Sequence, residues 1–237
     1  MPVTSGWDRA LAAWLCIAVA ALALGVLWRL AVWLRTPSRR RVTLTPGPGS
    51  VAGVVLRMVR ETLFFETLFR ASPWTWLFGW LFHAGLALVL LSHLRYVTRE
   101  WWSWVGWIAA YGHLASGAML VGLAGLWARR LLVDRVRWIS RPSDHLLLGL
   151  IAVIAVTGVV TKYLAPVDVV AVKGFVRGLL GDAGGPLPAS PWLVWHVAGA
   201  GALLALFPFG KLMHGPGLWV NPTRARPHPV NGRAADG

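Results

Sequence analysis

Five apolar stretches, each long enough to cross a lipid bilayer, constrain this chain more than any other feature of its sequence. They cover about residues 9–34, 73–97, 105–127, 144–164 and 191–213. An α-helix rises about 1.5 Å per residue, so roughly 20 residues cross a hydrocarbon core of about 30 Å. We therefore expect an all-α integral membrane protein that folds as a bundle of five transmembrane helices.

The composition favours lipid over water as the main solvent of the chain. Hydrophobic residues make up 57% of it and charged residues only 14%, whereas soluble domains carry about 25% charged residues. The net charge of +14 would suggest a nucleic-acid partner in a soluble protein. Here the basic residues lie in short segments between apolar stretches, which is typical of charge that sets membrane topology. The sequence therefore indicates a membrane-lipid environment and no nucleic-acid partner.

The distribution of lysine and arginine predicts the orientation in the membrane. Sixteen of these residues lie in segments 35–70, 129–141 and 211–233, on one side, and six lie on the other side. Because cytoplasmic segments carry the excess of positive charge, we expect the N-terminus outside and the C-terminus in the cytoplasm. Residues 1–220 are predicted to form one domain and residues 221–237 a cytoplasmic tail.

Two of the connecting segments have a character of their own. Residues 42–70 contain TPGPGS followed by an apolar spacing that suits an amphipathic helix lying on the cytoplasmic membrane interface. The outer segment 162–190 mixes a short apolar piece with GDAGGPLPASP. We expect this segment to cap the outer face of the bundle.

Cysteine is nearly absent, which narrows the metal chemistry open to this chain. The single residue, Cys16, lies inside the first apolar stretch, where a small apolar role is the simpler interpretation. One cysteine excludes an intrachain disulfide, a cysteine-ligated iron–sulfur cluster of the chain's own and CxxCH attachment of haem. Any bound metal must therefore use other ligands, and histidine is the available one.

Four histidines have spacings that suggest two depth-matched pairs. His83 and His93 lie ten residues apart in the second stretch, which separates them by about 15 Å along a helix and about 80° around it. His196 and His214 lie eighteen apart in the fifth stretch. Eighteen residues are five turns, so both would share one face about 27 Å apart, or less if Pro208 kinks the helix.

Since the second and fifth helices run in opposite directions, His83 should face His214 toward the cytoplasm and His93 should face His196 toward the outside. Imidazole is a favoured axial ligand of haem iron, so the pairs predict two b-type haems, with irons roughly 20 Å apart. Glycines near the ligands would leave room for a flat macrocycle; they are Gly79, Gly85, Gly199 and Gly201.

Other interpretations of these histidines remain open. His214 would also suit a helix C-terminus, where a positive charge is favoured, and His196 in PWLVWH would suit an interface anchor. At the level of the whole chain, a haem-free membrane scaffold or transporter could use the histidines for protons or metal. None of these interpretations explains why the four histidines are expected to form two pairs at two depths in the membrane.

Two segments resemble the gamma subunit family of membrane respiratory nitrate reductases. LFHAGLALVLLSHLRYVTREWW is similar to that family's second helix, and WHVAGAGALLALFPFGKLMH to its fifth. The resemblance implies the same pairing, His83 with His214 and His93 with His196, as axial ligands of two haems b. It also implies electron exchange with a quinone, menaquinone or ubiquinone, in the bacterial cytoplasmic (inner) membrane.

Within that family, KLMHGPGLWVNPTRARP is similar to the DsrM type, the cytochrome b of a sulfite-reduction-associated complex. This resemblance implies a cytoplasmic iron–sulfur partner of the DsrK (HdrD-like) type, further membrane and periplasmic subunits, and a role in sulfur-linked respiration. The alternative is a true nitrate reductase gamma subunit, whose partner would be a nitrate reductase beta subunit.

The remaining polar residues give weaker indications. The family carries a lysine on the third helix that contacts quinol; this chain has none there, and His113 lies in about that place, so we expect His113 to hydrogen-bond the quinone. A bond from His113 to a neighbouring helix or a haem propionate is an equal alternative.

His145, after the cap-like Ser143 and Asp144, is expected to mark the interface, and His228 to be solvated. Four basic side chains are expected to pair with haem propionates or, equally well, with lipid headgroups: Arg95, Arg99, Lys211 and Arg224.

Overall fold

The computed structural model describes residues 6–36, 48–100 and 102–220. The predictions about Arg39, Arg40, Arg41, the first half of TPGPGS, His228 and the tail 221–237 fall outside these ranges. The described elements are helical throughout: α1 Gly6–Arg35, α2 Val51–Phe64, α3 Glu66–Ala71, α4 Pro73–Val97, α5 Ser103–Ala110, α6 Gly112–Leu132, α7 Asp134–Ile139, α8 Pro142–Val159, α9 Val169–Leu179, α10 Pro191–Leu206 and α11 His214–Val220. A π-helical turn, Val160–Leu164, extends α8.

Among the described residues, four helices are long and apolar enough to span a membrane. They are Gly6–Arg35, Pro73–Val97, Pro142–Leu164 and Pro191–Phe209, which confirms four of the five predicted positions. The predicted third span is instead a bent pair: α5 and α6 meet at 57° around Tyr111, and together they make a fifth span only if both segments cross as one. "Inner" and "outer" below refer to the sides predicted from charge.

The spans begin where proline and a polar cap coincide. Pro73 and Pro191 open α4 and α10, and the side chains of Ser72 and Ser190 accept hydrogen bonds from the backbone N–H groups of Thr75 and Leu193. Proline suits the first helical turn because its missing N–H would have no partner there. The predicted cap of the fourth span is wrong in detail, since α8 already begins at Pro142, ahead of Ser143 and Asp144.

Small residues allow the helices of the bundle to approach closely, as is common in membranes. A Cβ added to Gly85 of α4 would lie 2.5 Å from the Ala115 carbonyl oxygen of α6, and Gly25 of α1 lies directly against Pro208. In this way α4 packs on α6, α1 packs on α10, and α8 packs on both α6 and α10. Within the described ranges α4 and α10 do not pack closely on each other. These two helices carry three of the four paired histidines.

The fifth span is not the continuous helix 191–213 that the sequence predicted. The α-helix ends at Leu206, a 3₁₀ turn covers Phe207–Phe209, and Gly210 is extended at φ −102° and ψ −176°. A second 3₁₀ turn, Lys211–Met213, leads into α11, which starts at His214. Proline cannot donate to the helical ladder, so the interruption at Pro208 is confirmed. The prediction that His196 and His214 share one face of one helix is wrong, and the straight-helix distance of about 27 Å does not apply.

The inner and outer segments fold against the ends of α4. In the inner segment the described residues form the two helices α2 and α3, with a corner at Phe65 in the left-handed region (φ 51°). The indole Nε1–H groups of Trp76 and Trp80 donate to the carbonyl oxygens of Phe64 and Leu63 at 2.6 and 3.1 Å, and so hold this corner to α4. In the outer segment α9 packs on α4. The predicted outer cap is therefore a helix.

Candidate functional site

The inner histidines meet although they come from separate segments. His83 lies in the first half of α4 and His214 opens α11, and their ring centroids are 5.8 Å apart with the planes at 84°. Phe65 and Phe82 pack on the His83 ring at 5.1 and 5.0 Å. The structure therefore brings together the two residues that the sequence paired. Their role as iron ligands stays a prediction.

The outer histidines also meet, with a different mutual orientation. His93, near the end of α4, and His196, in the second turn of α10, have ring centroids 6.1 Å apart and planes only 22° apart. Trp14 of α1 donates its Nε1–H to the Ala198 carbonyl oxygen at 3.1 Å, which ties α10 to α1 beside His196. Both predicted pairs are thus adjacent in space.

All four rings are held in the same way, through Nδ1 and a backbone carbonyl oxygen. The bonds are His83 to Gly79 at 2.7 Å, His93 to Val89 at 2.7 Å, His196 to Ile154 at 2.8 Å and His214 to Lys211 at 2.9 Å. A carbonyl oxygen only accepts, so each Nδ1 carries a proton, and in the neutral ring Nε2 then keeps its lone pair. Metal-ligating histidines commonly show this arrangement, because the bond fixes both the tautomer and the ring direction.

His145 provides an internal contrast. Its Nδ1 accepts a hydrogen bond from the Trp127 indole Nε1–H at 3.1 Å, so the proton of the neutral ring lies on Nε2. The ring joins α6 to α8 and has no histidine partner in the contacts of the described residues. The arrangement of the four paired histidines is therefore not shared by every histidine of the bundle.

The spacing and the number of donors fit a haem. With iron–nitrogen bonds of about 2 Å, two axial imidazoles have centroids about 6 Å apart, close to both observed distances. Each pair offers two imidazole nitrogens, and in the described part of the chain no group of three or more His, Cys, Asp or Glu side chains is placed to hold a metal. Two protein ligands are enough for a haem iron, because the porphyrin provides the other four nitrogen ligands.

Three of the four glycines expected to make room for the macrocycle pack helices instead: Gly85 lies against α6, Gly199 against Ile154 and Gly201 against Trp14. At Gly79 an added Cβ would meet only Leu68, at 3.6 Å, so for this glycine the expectation stays a prediction. Gly158 of α8, which the sequence did not suggest, also lies beside a paired histidine: an added Cβ there would be 2.8 Å from Cε1 of the His196 ring. The spacing of residues along α10 could not reveal the contact between Gly158 and His196, because Gly158 belongs to α8.

Two partly buried arginines lie at the depths of the two pairs. The Nε atoms of Arg29 and Arg95 are buried and have no hydrogen-bond partner among the described residues. Arg95 follows His93 by two residues. Arg29 lies one turn after Gly25, which contacts Pro208, and one turn before Trp33, which contacts Gly217. Since Pro208 and Gly217 flank His214 in the chain, Arg29 is at the inner level.

Sequence reasoning missed Arg29, although an arginine inside an apolar span is itself a signal of function. The sequence did suggest Arg95, Arg99 and Lys211 as cations for propionates. Of these, Arg99 pairs with Asp182 at 3.1 Å and Lys211 with Asp144 at 2.6 Å. Among the three, only Arg95 has an unpartnered buried nitrogen, which singles it out as a carboxylate-binding side chain.

His113 and Lys162 both lie at the bend between α5 and α6, and Lys162 contacts Gly112, the residue before His113. His113 is exposed in the first turn of α6. Lys162, in the π turn that extends α8, packs on Gly112 and donates from Nζ to the Ala109 carbonyl oxygen at 3.2 Å. Lys162 is about 6 Å along α8 from Gly158, the residue beside His196. The sequence treated Lys162 only as a topology charge, yet π turns are often found at functional sites.

These features define a class: a multi-pass helical membrane protein with two facing histidine pairs at different depths. Residues 51–225 match the family described as nitrate reductase gamma subunit, and the chain belongs to this family. Two curated relatives are named Hdr-like menaquinol oxidoreductase cytochrome b-like subunit. The protein of Archaeoglobus fulgidus is 30% identical over 90% of this chain and 77% of its own length. That of Archaeoglobus profundus is 30% identical over 91% and 77%.

Proposed function

We propose that the chain is a dihaem cytochrome b subunit that relays electrons between the membrane quinone pool and a cytoplasmic iron–sulfur partner. The observation that carries this proposal is the uniform state of the four paired histidines, each with Nδ1 bound to a carbonyl oxygen and Nε2 free as a ligand. Family membership and the names of the two relatives support it.

In this proposal His83 and His214 hold the inner haem, and His93 and His196 hold the outer haem. A b-type haem in each site supplies a one-electron carrier. The protein contributes fixed ligand directions and aromatic packing on His83 from Phe65 and Phe82. Arg29 and Arg95 would each hold a propionate of the haem at their own level, because each has a buried Nε–H without a partner among the described residues and a guanidinium binds a carboxylate strongly.

The quinone would bind at the outer side, beside the bend between α5 and α6. His113 keeps the role expected from the sequence, as hydrogen-bond partner of a quinone carbonyl, and Lys162 is the second candidate for that bond because its ammonium group reaches the same bend. The relatives' names mention menaquinol, which favours menaquinone over ubiquinone for this chain.

The electron partner would dock on the inner side. Arginines there include Arg57, Arg60, Arg70, Arg129, Arg130, Arg135, Arg137 and Arg141, and they favour an acidic protein surface. The term Hdr-like in the relatives' names supports an iron–sulfur subunit of the DsrK or HdrD type in sulfur-linked respiration. The relatives are archaeal, so the proposal covers prokaryotic cytoplasmic membranes, including the bacterial inner membrane expected from the sequence.

A second candidate is the gamma subunit of a respiratory nitrate reductase, which the family match over residues 51–225 favours. The two candidates share the haems and the quinone site and differ in the cytoplasmic partner. Co-purification separates them: a nitrate reductase beta subunit recovered with this chain would replace the DsrK-like assignment.

Replacing single ligands tests the haem assignment. In His83→Ala and His93→Ala the lost imidazole leaves one axial ligand in one site, so we expect about half of the haem to be lost. The measurement is the reduced-minus-oxidised optical spectrum with a pyridine haemochrome count per polypeptide. His145→Ala is the matched control and should keep both haems. A wild-type protein without a reduced b-type band would refute the cytochrome assignment and leave the haem-free scaffold or transporter.

Removing each arginine tests the propionate assignment. Arg29→Gln should lower the midpoint potential of the inner haem, and Arg95→Gln that of the outer haem, because loss of a nearby positive charge favours the oxidised iron. A shift of about 60 mV corresponds to a tenfold change in a one-electron equilibrium. Redox titration of both haems in each variant is the measurement. Equal shifts of both haems, or none, would contradict the assignment.

His113→Ala and Lys162→Met test the quinone site. A lost hydrogen bond to the quinone should slow quinol-driven haem reduction by about tenfold, while dithionite still reduces both haems fully. Rapid-mixing kinetics with a menaquinol analogue provide the rates. Arg177→Met, on the outer helix α9, is the control for a lost outer charge. If the His113 variant keeps the wild-type rate, His113 does not belong to the site, and the same holds for Lys162.

A further inference from the structure

His214 differs from the other paired histidines in what fixes its ring. His83 and His93 donate to the carbonyl oxygen four residues earlier in the continuous helix α4, and His196 donates to Ile154 of the neighbouring helix α8. His214 donates to the Lys211 carbonyl oxygen, within the short turn that follows the break at Pro208. Its direction therefore depends on whatever holds that turn in place.

Asp144 holds this turn from α8. Its side chain is only 6% exposed, and Oδ2 accepts from Lys211 Nζ at 2.6 Å and from the Arg141 backbone N–H at 3.1 Å. Arg130 Nη1 lies 3.6 Å from the same oxygen. A buried carboxylate without partners is strongly unfavourable, so Asp144 retains these contacts. Lys211 itself is 61% exposed, which means that its own burial does not force the pairing.

The two anchors on α8 have the same spacing as the histidines on α4. Asp144, which holds the Lys211 turn, and Ile154, which accepts from His196, are ten residues apart, as are His83 and His93. Ten residues of helix rise about 15 Å. One helix thus offers an anchor at each of two levels to the histidines of the interrupted fifth span, while α4 supplies the opposing histidine at each level.

We propose that Asp144 is a positioning residue for His214: through its ion pair with Lys211 it fixes the turn whose carbonyl oxygen directs the His214 ring toward His83. The inference rests on the proposed function, in which His214 is an axial ligand of the inner haem. It assigns to α8 the alignment of one histidine in each pair.

Two substitutions that change the local charge in opposite directions separate positioning from electrostatics. Asp144→Asn removes a negative charge and Lys211→Met removes a positive one, yet both break the ion pair. If the pair positions His214, both variants loosen the inner haem in the same sense. We expect transfer of the inner haem to excess apomyoglobin to become about tenfold faster or more in each, as for other supports of metal-ligating histidines.

Electron paramagnetic resonance of the oxidised protein gives a second readout, because the low-spin signal reports the orientation of the axial imidazoles. The inner signal should change in both variants and the outer signal should not. Lys211→Arg keeps the ion pair and should restore wild-type behaviour. Asp134→Asn is the matched control, because Asp134 pairs with Arg137 at 2.8 Å on the same side, in an exposed ion pair.

Opposite shifts of the inner haem potential in Asp144→Asn and Lys211→Met, with unchanged transfer rates and resonance signals, would overturn the inference and leave a purely electrostatic role. If Asp144→Asn does not accumulate, Lys211→Met decides alone, since it keeps the contact between Asp144 and Arg141. A wild-type protein that binds no haem would contradict the proposed function and the inference together. Unchanged variants of a protein that binds two haems would contradict the inference alone.

Discussion

The hydrogen bond from each paired imidazole Nδ1–H to a backbone carbonyl oxygen is the interaction on which the site depends. In a bilayer the backbone satisfies its own polar groups by forming helices, and a polar side chain must find a partner within the protein. Here the partner is a helical carbonyl oxygen in three cases and the Lys211 carbonyl in the fourth. Each bond gives one ring nitrogen a hydrogen-bond partner inside the apolar bilayer and orients the other nitrogen. In the proposed function, that second nitrogen is the one that would bind iron.

The rest of the bundle brings the four rings together in two pairs, with centroids 5.8 and 6.1 Å apart. Helix α4 is continuous and fixes two histidines by its own geometry, with close packing on α6 at Gly85. The fifth span is interrupted at Pro208, which packs on Gly25 of α1. Because of the interruption, the position of His214 is not set by the helix α10. Helix α8 contacts both ends of the interrupted span instead, through Asp144 with Lys211 and Ile154 with His196. The pairs also differ in the angle between their planes, 84° inside and 22° outside.

Much of this could be predicted from the sequence, and what could not has physical reasons. Hydrophobic length located four spans, and the spacing of His83 and His93 on an unbroken helix predicted the two depths correctly. For His196 and His214, the assumption of one straight helix failed, because the structural effect of Pro208 and Gly210 depends on what surrounds them. The roles of Gly158, Asp144 and Lys162 arise from contacts between helices distant in the chain, which periodicity within one helix does not reveal. Arg29 was visible as a charge in an apolar stretch, but its depth relative to His214 needed the packing of α1.

The most direct test of the central claim is electron paramagnetic resonance of the oxidised wild-type protein with its haem content counted in parallel. The account predicts two haems b per chain and two low-spin ferric signals. The nearly perpendicular imidazoles of His83 and His214 leave two iron d orbitals almost equal in energy, so their signal should have the larger g anisotropy; the more parallel His93 and His196 should give a rhombic signal. A high-spin ferric signal of a haem with one protein ligand, a single haem per chain, or no haem at all would contradict it.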